Sequence, residues 1–138
     1  MNLLRIFLAA LAAFVAYMVV GGLTFAVPGT KSEFLKYPAI YRDQQGQMSH
    51  MAIGMPAMFV AMIVLAVLYA MLYRGGSGFV EGLKFGVLIA IFSVCTFVLH
   101  NYVNLNIGLK ITLQQTVAYS VEWIVAGIVI GLIYRPAR

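Results

Sequence analysis

Residues 113–134 read LQQTVAYSVEWIVAGIVIGLIY, and this stretch decides the fold of the 138-residue chain. It is long enough to cross a bilayer, because about 20 helical residues at roughly 1.5 Å each match a hydrocarbon core about 30 Å thick. One acidic residue, Glu122, lies near its middle. A carboxylate at that depth is costly unless it is neutral or paired, so we expect Glu122 to face protein rather than lipid.

The same stretch carries a glycine pair, Gly127 and Gly131, at the GxxxG spacing. Glycines four residues apart lie on one helix face and allow another helix to approach the backbone closely. We therefore predict that Gly127 and Gly131 form a helix-packing surface. One span thus combines the costliest polar group with the clearest packing surface.

Composition extends the membrane assignment to the whole chain. Hydrophobic residues make up 63% and charged residues 9%, whereas about a quarter of the residues of a soluble domain are charged. The formal charge of +5 is small and scattered over span ends and loops, where cations meet lipid headgroups. We expect membrane lipids as partners, no nucleic acid, and a single transmembrane domain over residues 1–138. The only cysteine, Cys95, excludes an intrachain disulfide and any CxxC motif.

Three more apolar runs complete the predicted architecture, which is an all-α, integral-membrane, antiparallel four-helix transmembrane bundle. The four spans are expected at about residues 6–27, 51–73, 79–102 and 113–134. The RGGSG turn at 74–78 permits only an antiparallel return of the chain. Residues 29–50 form the longest non-spanning segment, and their mixture of charged and aromatic side chains suits the headgroup region.

Polar residues fall at matching depths on the third and fourth spans. The set comprises Ser93, Thr96 and His100 on the third span and Gln115, Tyr119 and Glu122 on the fourth. Helical spacing places the latter three on one face. Because a short loop joins the two spans, we expect them to be neighbours and predict a buried polar seam between them. One interpretation is that the seam holds the helices together by hydrogen bonds, with Glu122 protonated. The other is that it forms a ligand or proton site in which Glu122 titrates.

Methionines mark one face of the second span. They are Met48, Met51, Met55, Met58 and Met62, at steps of three and four residues. Thioethers beside His50 are a candidate soft site for Cu(I). The alternative is that methionine serves as a flexible apolar filler in helix packing. We expect packing, and we keep His50, Met48, Met51 and Met55 as the candidate metal ligands.

The strings GLKFGVLIAIF and AGIVIGLIYRP are similar to stretches in small, uncharacterised four-span bacterial membrane proteins. That resemblance implies a four-span fold in the bacterial inner membrane and carries over no catalytic residues. The Met51/Met55 and Gly127/Gly131 pairs also resemble the MxxxM and GxxxG helices of copper-uptake proteins, which have three spans. Small multidrug transporters likewise have four helices and a membrane Glu, but theirs lies on the first span, and residues 6–27 contain none.

The sequence predicts no enzyme and no cofactor. It has no Ser/His/Asp set, no paired membrane carboxylates and no phosphate loop. Its two histidines, His50 and His100, lack the further ligands that a metal or haem site requires. We expect a non-catalytic structural or accessory protein that acts by helix association, as a homo-oligomer or with a larger membrane-protein partner. The alternatives are a proton- or cation-coupled transporter of small solutes that uses Glu122, and copper handling by the Met48–Met62 stripe with His50.

The positive-inside rule gives the orientation. With the N-terminus in the cytoplasm, that side holds Arg5, Arg74, Lys84, Arg135 and Arg138, and the opposite side holds Lys31, Lys36, Arg42 and Lys110. The first set lies close to span ends, where the rule is strongest. We therefore expect a multi-pass protein of the bacterial inner membrane with both termini in the cytoplasm.

This topology predicts the outcome of cysteine labelling. With Cys95 replaced, a cysteine introduced at Ser32 should react with an impermeant thiol reagent added outside spheroplasts, because the segment 29–48 faces the periplasm. A cysteine at Ala137 should react only after the membrane is permeabilised. Labelling of both positions from outside would contradict the topology.

Overall fold

The computed structural model describes residues 2–134, and every regular element within that range is helical. In chain order these are α1 (Leu3–Ala26), α2 (Thr30–Phe34), α3 (Gln44–Leu72), α4 (Gly78–Ser93), a π-helical segment (Val94–Leu99), α5 (His100–Asn104) and α6 (Leu109–Ile133). The three elements from α4 to α5 follow one another directly as one helical stretch, Gly78–Asn104. Arg135, Ala137 and Arg138, which enter the topology argument, lie outside the described residues.

Four of the described helices are long and apolar enough to cross a membrane: α1, α3, α6 and the stretch Gly78–Asn104. The all-α class and four spans of membrane length are thereby confirmed. Helix α3, which contains the second predicted span, starts at Gln44, whereas the apolar run predicted a start near residue 51. The reason is local, because the Asp43 side chain accepts a hydrogen bond from the Gly46 N–H at 2.8 Å and caps the helix before its apolar part begins.

Helix α6 packs along α4 through glycines on both helices. Gly127 and Gly131 meet a second row of glycines on α4, formed by Gly78, Gly82 and Gly86. A Cβ atom on Gly82 would lie 2.5 Å from the backbone oxygen of Gly127. The backbones therefore touch, as the GxxxG pair requires. The packing partner of that pair is another helix of the same chain, and the α4 row, also at four-residue steps, is a signal that the sequence analysis missed.

Helix α1 packs on α6 and on α3. Its contact face is made of small side chains, with Ala9, Ala10 and Ala13 fully buried. On α3, the buried positions are Met62, Ala66 and Tyr69. These three lie in the second half of the helix, so the half before Met62 has little protein against it. A space consequently opens between α1, α6 and the first half of α3.

The segment 27–43, here called the cap, folds across the end of α1 and the start of α6. Gly29 has a φ of 89°, the left-handed conformation that favours glycine, and it starts α2 immediately after α1 has ended. Within the cap, the Phe34 ring packs against Phe25 of α1 and against Tyr41. The Tyr37 hydroxyl accepts a hydrogen bond from the backbone N–H of Gly108, just before α6, at 3.0 Å. The cap thus ties the start of α6 to the end of α1.

The glycine contact predicts a large effect of adding one methyl group. Gly82→Ala should lower the free energy of unfolding by about 1–3 kcal/mol, because the new Cβ overpacks against the α6 backbone. Reversible unfolding in mixed detergent micelles measures the change. Gly54→Ala is the matched control, since a Cβ there meets nothing within 4 Å and alanine is the better helix former by up to about 1 kcal/mol. Equal stability of the two variants would contradict the contact.

Candidate functional site

A cleft of about 850 Å³ lies beneath the cap and between the helices. Its walls come mainly from α1, the cap and the first half of α6, while α3 contributes Met58. Its lining residues include Tyr17, Met18, Gly21, Gly22, Thr24, Phe25, Tyr41, Met58, Phe97, Asn101, Gln114, Gln115, Tyr119 and Glu122. A cavity of this volume falls in the range of small-molecule sites, which are mostly apolar with a few convergent polar groups.

Glu122 is the charged residue of the cleft, and its side chain is held by α1. The residue is 7% exposed. Its Oε1 atom accepts a hydrogen bond from the Thr24 hydroxyl at 3.2 Å, and the Tyr17 hydroxyl is within hydrogen-bonding reach of the same carboxyl. Gly21 lies directly against the carboxyl, since a Cβ there would be in van der Waals contact with Oε1 at 3.4 Å. The described residues form no salt bridge to Glu122.

Aromatic rings surround the carboxyl on several sides. Tyr17 packs against Trp123 with ring centroids 4.8 Å apart, and Tyr119 meets Phe97 at 5.6 Å. Tyr41 reaches in from the cap, where its hydroxyl accepts a hydrogen bond from Gln115 Nε2 at 3.1 Å. The site therefore joins one acidic group to apolar, electron-rich walls.

Two amide oxygens on this part of α6 have no donor. The Oε1 atoms of Gln114 and Gln115 are buried, and nothing in the described part of the chain hydrogen-bonds to them. A buried acceptor without a donor is destabilising, so such atoms in a cleft wall call for an explanation. A bound donor is one such explanation.

The structure brings together half of the predicted polar seam. Gln115, Tyr119 and Glu122 share the cleft, as their spacing on one helix face indicates. The three residues from the third span do not join them. Ser93 accepts a hydrogen bond from Trp123 Nε1 at 2.9 Å, while Thr96 and His100 are exposed. The expected partners of Glu122, on the third span, are therefore replaced by Thr24 and Tyr17 on the first.

The reason for this difference lies in the π-helical segment Val94–Leu99. A π turn closes between residues five apart instead of four, so it changes the face that the following residues present. The Thr96 hydroxyl hydrogen-bonds to the backbone oxygen of Phe92 within its own helix, at 2.6 Å. Phe97 and Asn101 reach the cleft instead. Counting at regular helical spacing from Ser93 to His100 cannot anticipate this shift.

The methionine stripe divides into two parts. Met62 is fully buried in the core and Met58 lines the cleft, whereas Met48 and Met51 are exposed and Met55 is half-buried. His50 bonds within its own helix, with Nδ1 2.8 Å from the backbone oxygen of Gly46. Residues 2–134 contain no cluster of three or more His, Cys, Asp or Glu side chains that suits a metal ion.

A second charged group lies outside the spans, at the junction of the cap and α6. Glu33 of the cap is buried, and its Oε2 atom lies 2.7 Å from Lys36 Nζ and 3.3 Å from Lys110 Nζ. The hydrogen bond from Lys36, with a further contribution from Lys110, lowers the pKa of the Glu33 carboxyl. Because Lys110 belongs to α6, this pair of contacts fastens the cap to that helix.

The sequence analysis missed Tyr17, Gly21, Thr24 and the cap tyrosine Tyr41 as site residues. None of the four is charged, and none belongs to a recognisable sequence motif. A weak signal was present in the GGLT run at 21–24, where side-chain volume falls near the end of an apolar span. Pairing that run with Glu122 needs the three-dimensional arrangement of the first and last spans.

Comparison with known proteins gives no relationship from which a role can be inferred. The chain matches no family model, no curated protein and no solved structure at a significant level. The site must therefore be interpreted from its own chemistry.

The Glu33 contacts predict a pH-dependent stability. A lowered carboxyl pKa stabilises the fold above the unfolded value near 4.5 and loses this contribution as the pH falls through the folded value. Glu33→Gln should therefore have a lower thermal midpoint than the parent at about pH 7, and the difference should shrink as the pH falls below the unfolded value of 4.5. Glu81→Gln serves as the control, since no described residue forms a salt bridge with Glu81. A constant difference across this range would contradict the ion-pair account.

Proposed function

We propose that this chain is a membrane-embedded carrier that binds a small solute in the cleft and couples it to a proton or cation through Glu122. The observation that carries the proposal is a buried carboxyl, open to a cleft of about 850 Å³ and without an ion-pair partner in residues 2–134. Ionisable residues inside spans are costly and typically mark solute or proton pathways.

The chemistry of the site supports exchange at one carboxyl. In its neutral form, the group is accommodated by the hydroxyls of Thr24 and Tyr17, which can donate or accept hydrogen bonds. In its ionised form, it needs a positive partner, since an unpaired charge in apolar surroundings is unfavourable. A proton and a cationic solute therefore compete for the same oxygen atoms. Competition of this kind is the minimum requirement for coupled exchange.

The packing of Gly127 and Gly131 favours the carrier role over a structural role in helix association. The surface that would have served helix association with a partner, Gly127 and Gly131, is covered by α4 of the same chain. A structural or accessory role, through a homo-oligomer or a larger membrane protein, remains a prediction from sequence. Copper handling gains no support from the exposed positions of Met48 and Met51 or from the internal hydrogen bond of His50.

The proposed setting is the bacterial inner membrane, which the four spans would cross as an antiparallel bundle. Both termini would lie in the cytoplasm. The cap would then lie at the periplasmic surface, with Lys31, Lys36 and Lys110 near lipid headgroups. The cleft opens beneath the cap, so the solute site would lie in the outer half of the bilayer.

Titration of Glu122 tests the proposal. Infrared difference spectra of the protein in lipid, recorded between about pH 5 and pH 9, should contain a reversible carboxyl band that Glu122→Gln removes. The variant should still fold, because an amide keeps an acceptor for Thr24 and a donor for Tyr17. Glu81→Gln should keep the band.

If the parent and Glu122→Gln give the same difference spectrum across this range, Glu122 does not exchange protons with water and the carrier proposal fails. If the band is present, uptake of a small solute into proteoliposomes is the next measurement.

A further inference from the structure

We infer that the solute of the cleft is a lipophilic primary amine, bound to Glu122 as its ammonium ion. This inference rests on the proposed function and names its substrate class. It is carried by four independent features of the site: the lone carboxyl, the end of α1, the rings around the cleft, and acceptor atoms that lack donors.

The first feature is charge. Glu122 is the acidic member of the cleft lining, and its described lining residues include no Lys or Arg. Lys36 of the cap and Lys110 of α6 are engaged by Glu33, and Lys31 of the cap lies 3.5 Å from Gln44. Arg42, the remaining cation of the cap, is exposed and does not line the cleft. A positive ligand completes a buried carboxylate, whereas an anionic ligand would add a second unpaired charge.

The second feature is the end of α1. Thr24 lies in the last turn of that helix, which ends at Ala26. The C-terminal end of a helix carries partial negative charge and unsatisfied carbonyl oxygens, so it favours a cation. Gly22 lines the cleft there, and a Cβ on it would meet nothing within 4 Å. The ligand can therefore approach the backbone of α1 closely.

The third feature is the wall of the cleft. Tyr17 and Tyr119 line the cleft together with Glu122, and the faces of aromatic rings attract cations. Beyond them, Met18, Phe25 and Met58 provide apolar surface for a hydrocarbon body. A small inorganic cation would leave this surface unused, whereas an organic amine would bury its carbon skeleton there.

The fourth feature separates a primary amine from a quaternary ion. The acceptors within reach of one bound group are the Glu122 carboxylate and the hydroxyl oxygens of Thr24 and Tyr17. Gln114 and Gln115, which line the same cleft, carry side-chain oxygens to which no described residue donates a hydrogen bond. An ammonium group supplies three N–H donors, and a quaternary nitrogen supplies none.

If the amine arrives from the membrane in its neutral form, binding transfers one proton from Glu122 to the amine. The neutral amine dissolves in lipid and reaches the cleft beside the first half of α3, where Met58 is the lining residue. The amine nitrogen takes the proton of the Glu122 carboxyl, and an ammonium carboxylate pair results with no other reactant. The other ionisable side chains facing this pair are the tyrosines Tyr17 of α1, Tyr119 of α6 and Tyr41 of the cap. Binding of the ammonium from water should weaken as the pH falls, because protons compete for Glu122.

Four probes with the same apolar body test the inference: 1-adamantylamine, its N,N,N-trimethylammonium analogue, 1-adamantanol and adamantane-1-carboxylate. Binding is measured calorimetrically with the full chain in phosphatidylcholine nanodiscs. The amine should bind at least about tenfold more tightly than the alcohol, as expected for a hydrogen-bonded charge pair. The trimethylammonium ion should fall between them, and the carboxylate should bind most weakly.

Variants locate the effect. Glu122→Gln should remove the preference for the amine over the alcohol, and Glu81→Gln should leave it unchanged. Gly22→Leu, which places a side chain in the open space beside α1, should weaken all the probes together. This variant keeps the inference testable if Glu122→Gln fails to fold.

Several results would overturn the inference. They are equal binding of amine and alcohol to the parent protein, an unchanged preference in Glu122→Gln, and unchanged probe binding in Gly22→Leu. Loss of amine binding when phosphatidylethanolamine replaces phosphatidylcholine would assign the ammonium to a lipid headgroup and likewise overturn the small-solute inference. A titrating Glu122 without amine preference would refute only the substrate class, whereas absence of titration would refute the carrier itself.

Discussion

The structure depends on how an apolar chain accommodates one buried carboxyl group. A carboxyl in apolar surroundings needs polar partners, so a neighbouring helix must supply polar atoms beside Glu122. Helix α1 does so with Thr24 and Tyr17, and Gly21 of the same helix lies against the carboxyl. The pairing of α1 with α6 is therefore specified by a polar contact, in surroundings where apolar contacts alone discriminate poorly between helices.

The two neighbours of α6 are held by different means. Towards α4, Gly127 and Gly131 allow the backbones to touch, and this contact depends on the absence of side chains. Towards α1, the contact depends on Glu122 and on small residues such as Ala13. The glycine contact leaves no room for a ligand. The cleft accordingly lies along the half of α6 nearer the cap, which carries Gln115, Tyr119 and Glu122.

Much of this arrangement follows from the sequence, and the limits have identifiable causes. Apolar length predicts the four helices, and helical spacing places Gln115, Tyr119 and Glu122 on one face. Connectivity suggested the wrong partner for that face, because a helix with two neighbours need not turn its polar side to the one that precedes it in the chain. The π-helical segment then moved Thr96 and His100 out of register. The cap contains too few residues at any regular spacing for its position to be predicted.

The two ends of the molecule differ in how easily they can open. At the end away from the cap, Tyr69, Tyr73 and Tyr134 pack ring against ring beside the glycine contact, so opening there would break buried packing. At the other end, the cap is fastened by the Glu33 ion pairs and by hydrogen bonds from Gly108 and Gln115 to its tyrosines. The lysines of these ion pairs are largely exposed, whereas the Glu33 carboxylate is buried. Displacing the cap would break these polar contacts and leave the backbone contact between α4 and α6 intact. Because Tyr41 of the cap is bonded to Gln115, that displacement would alter the wall of the cleft directly.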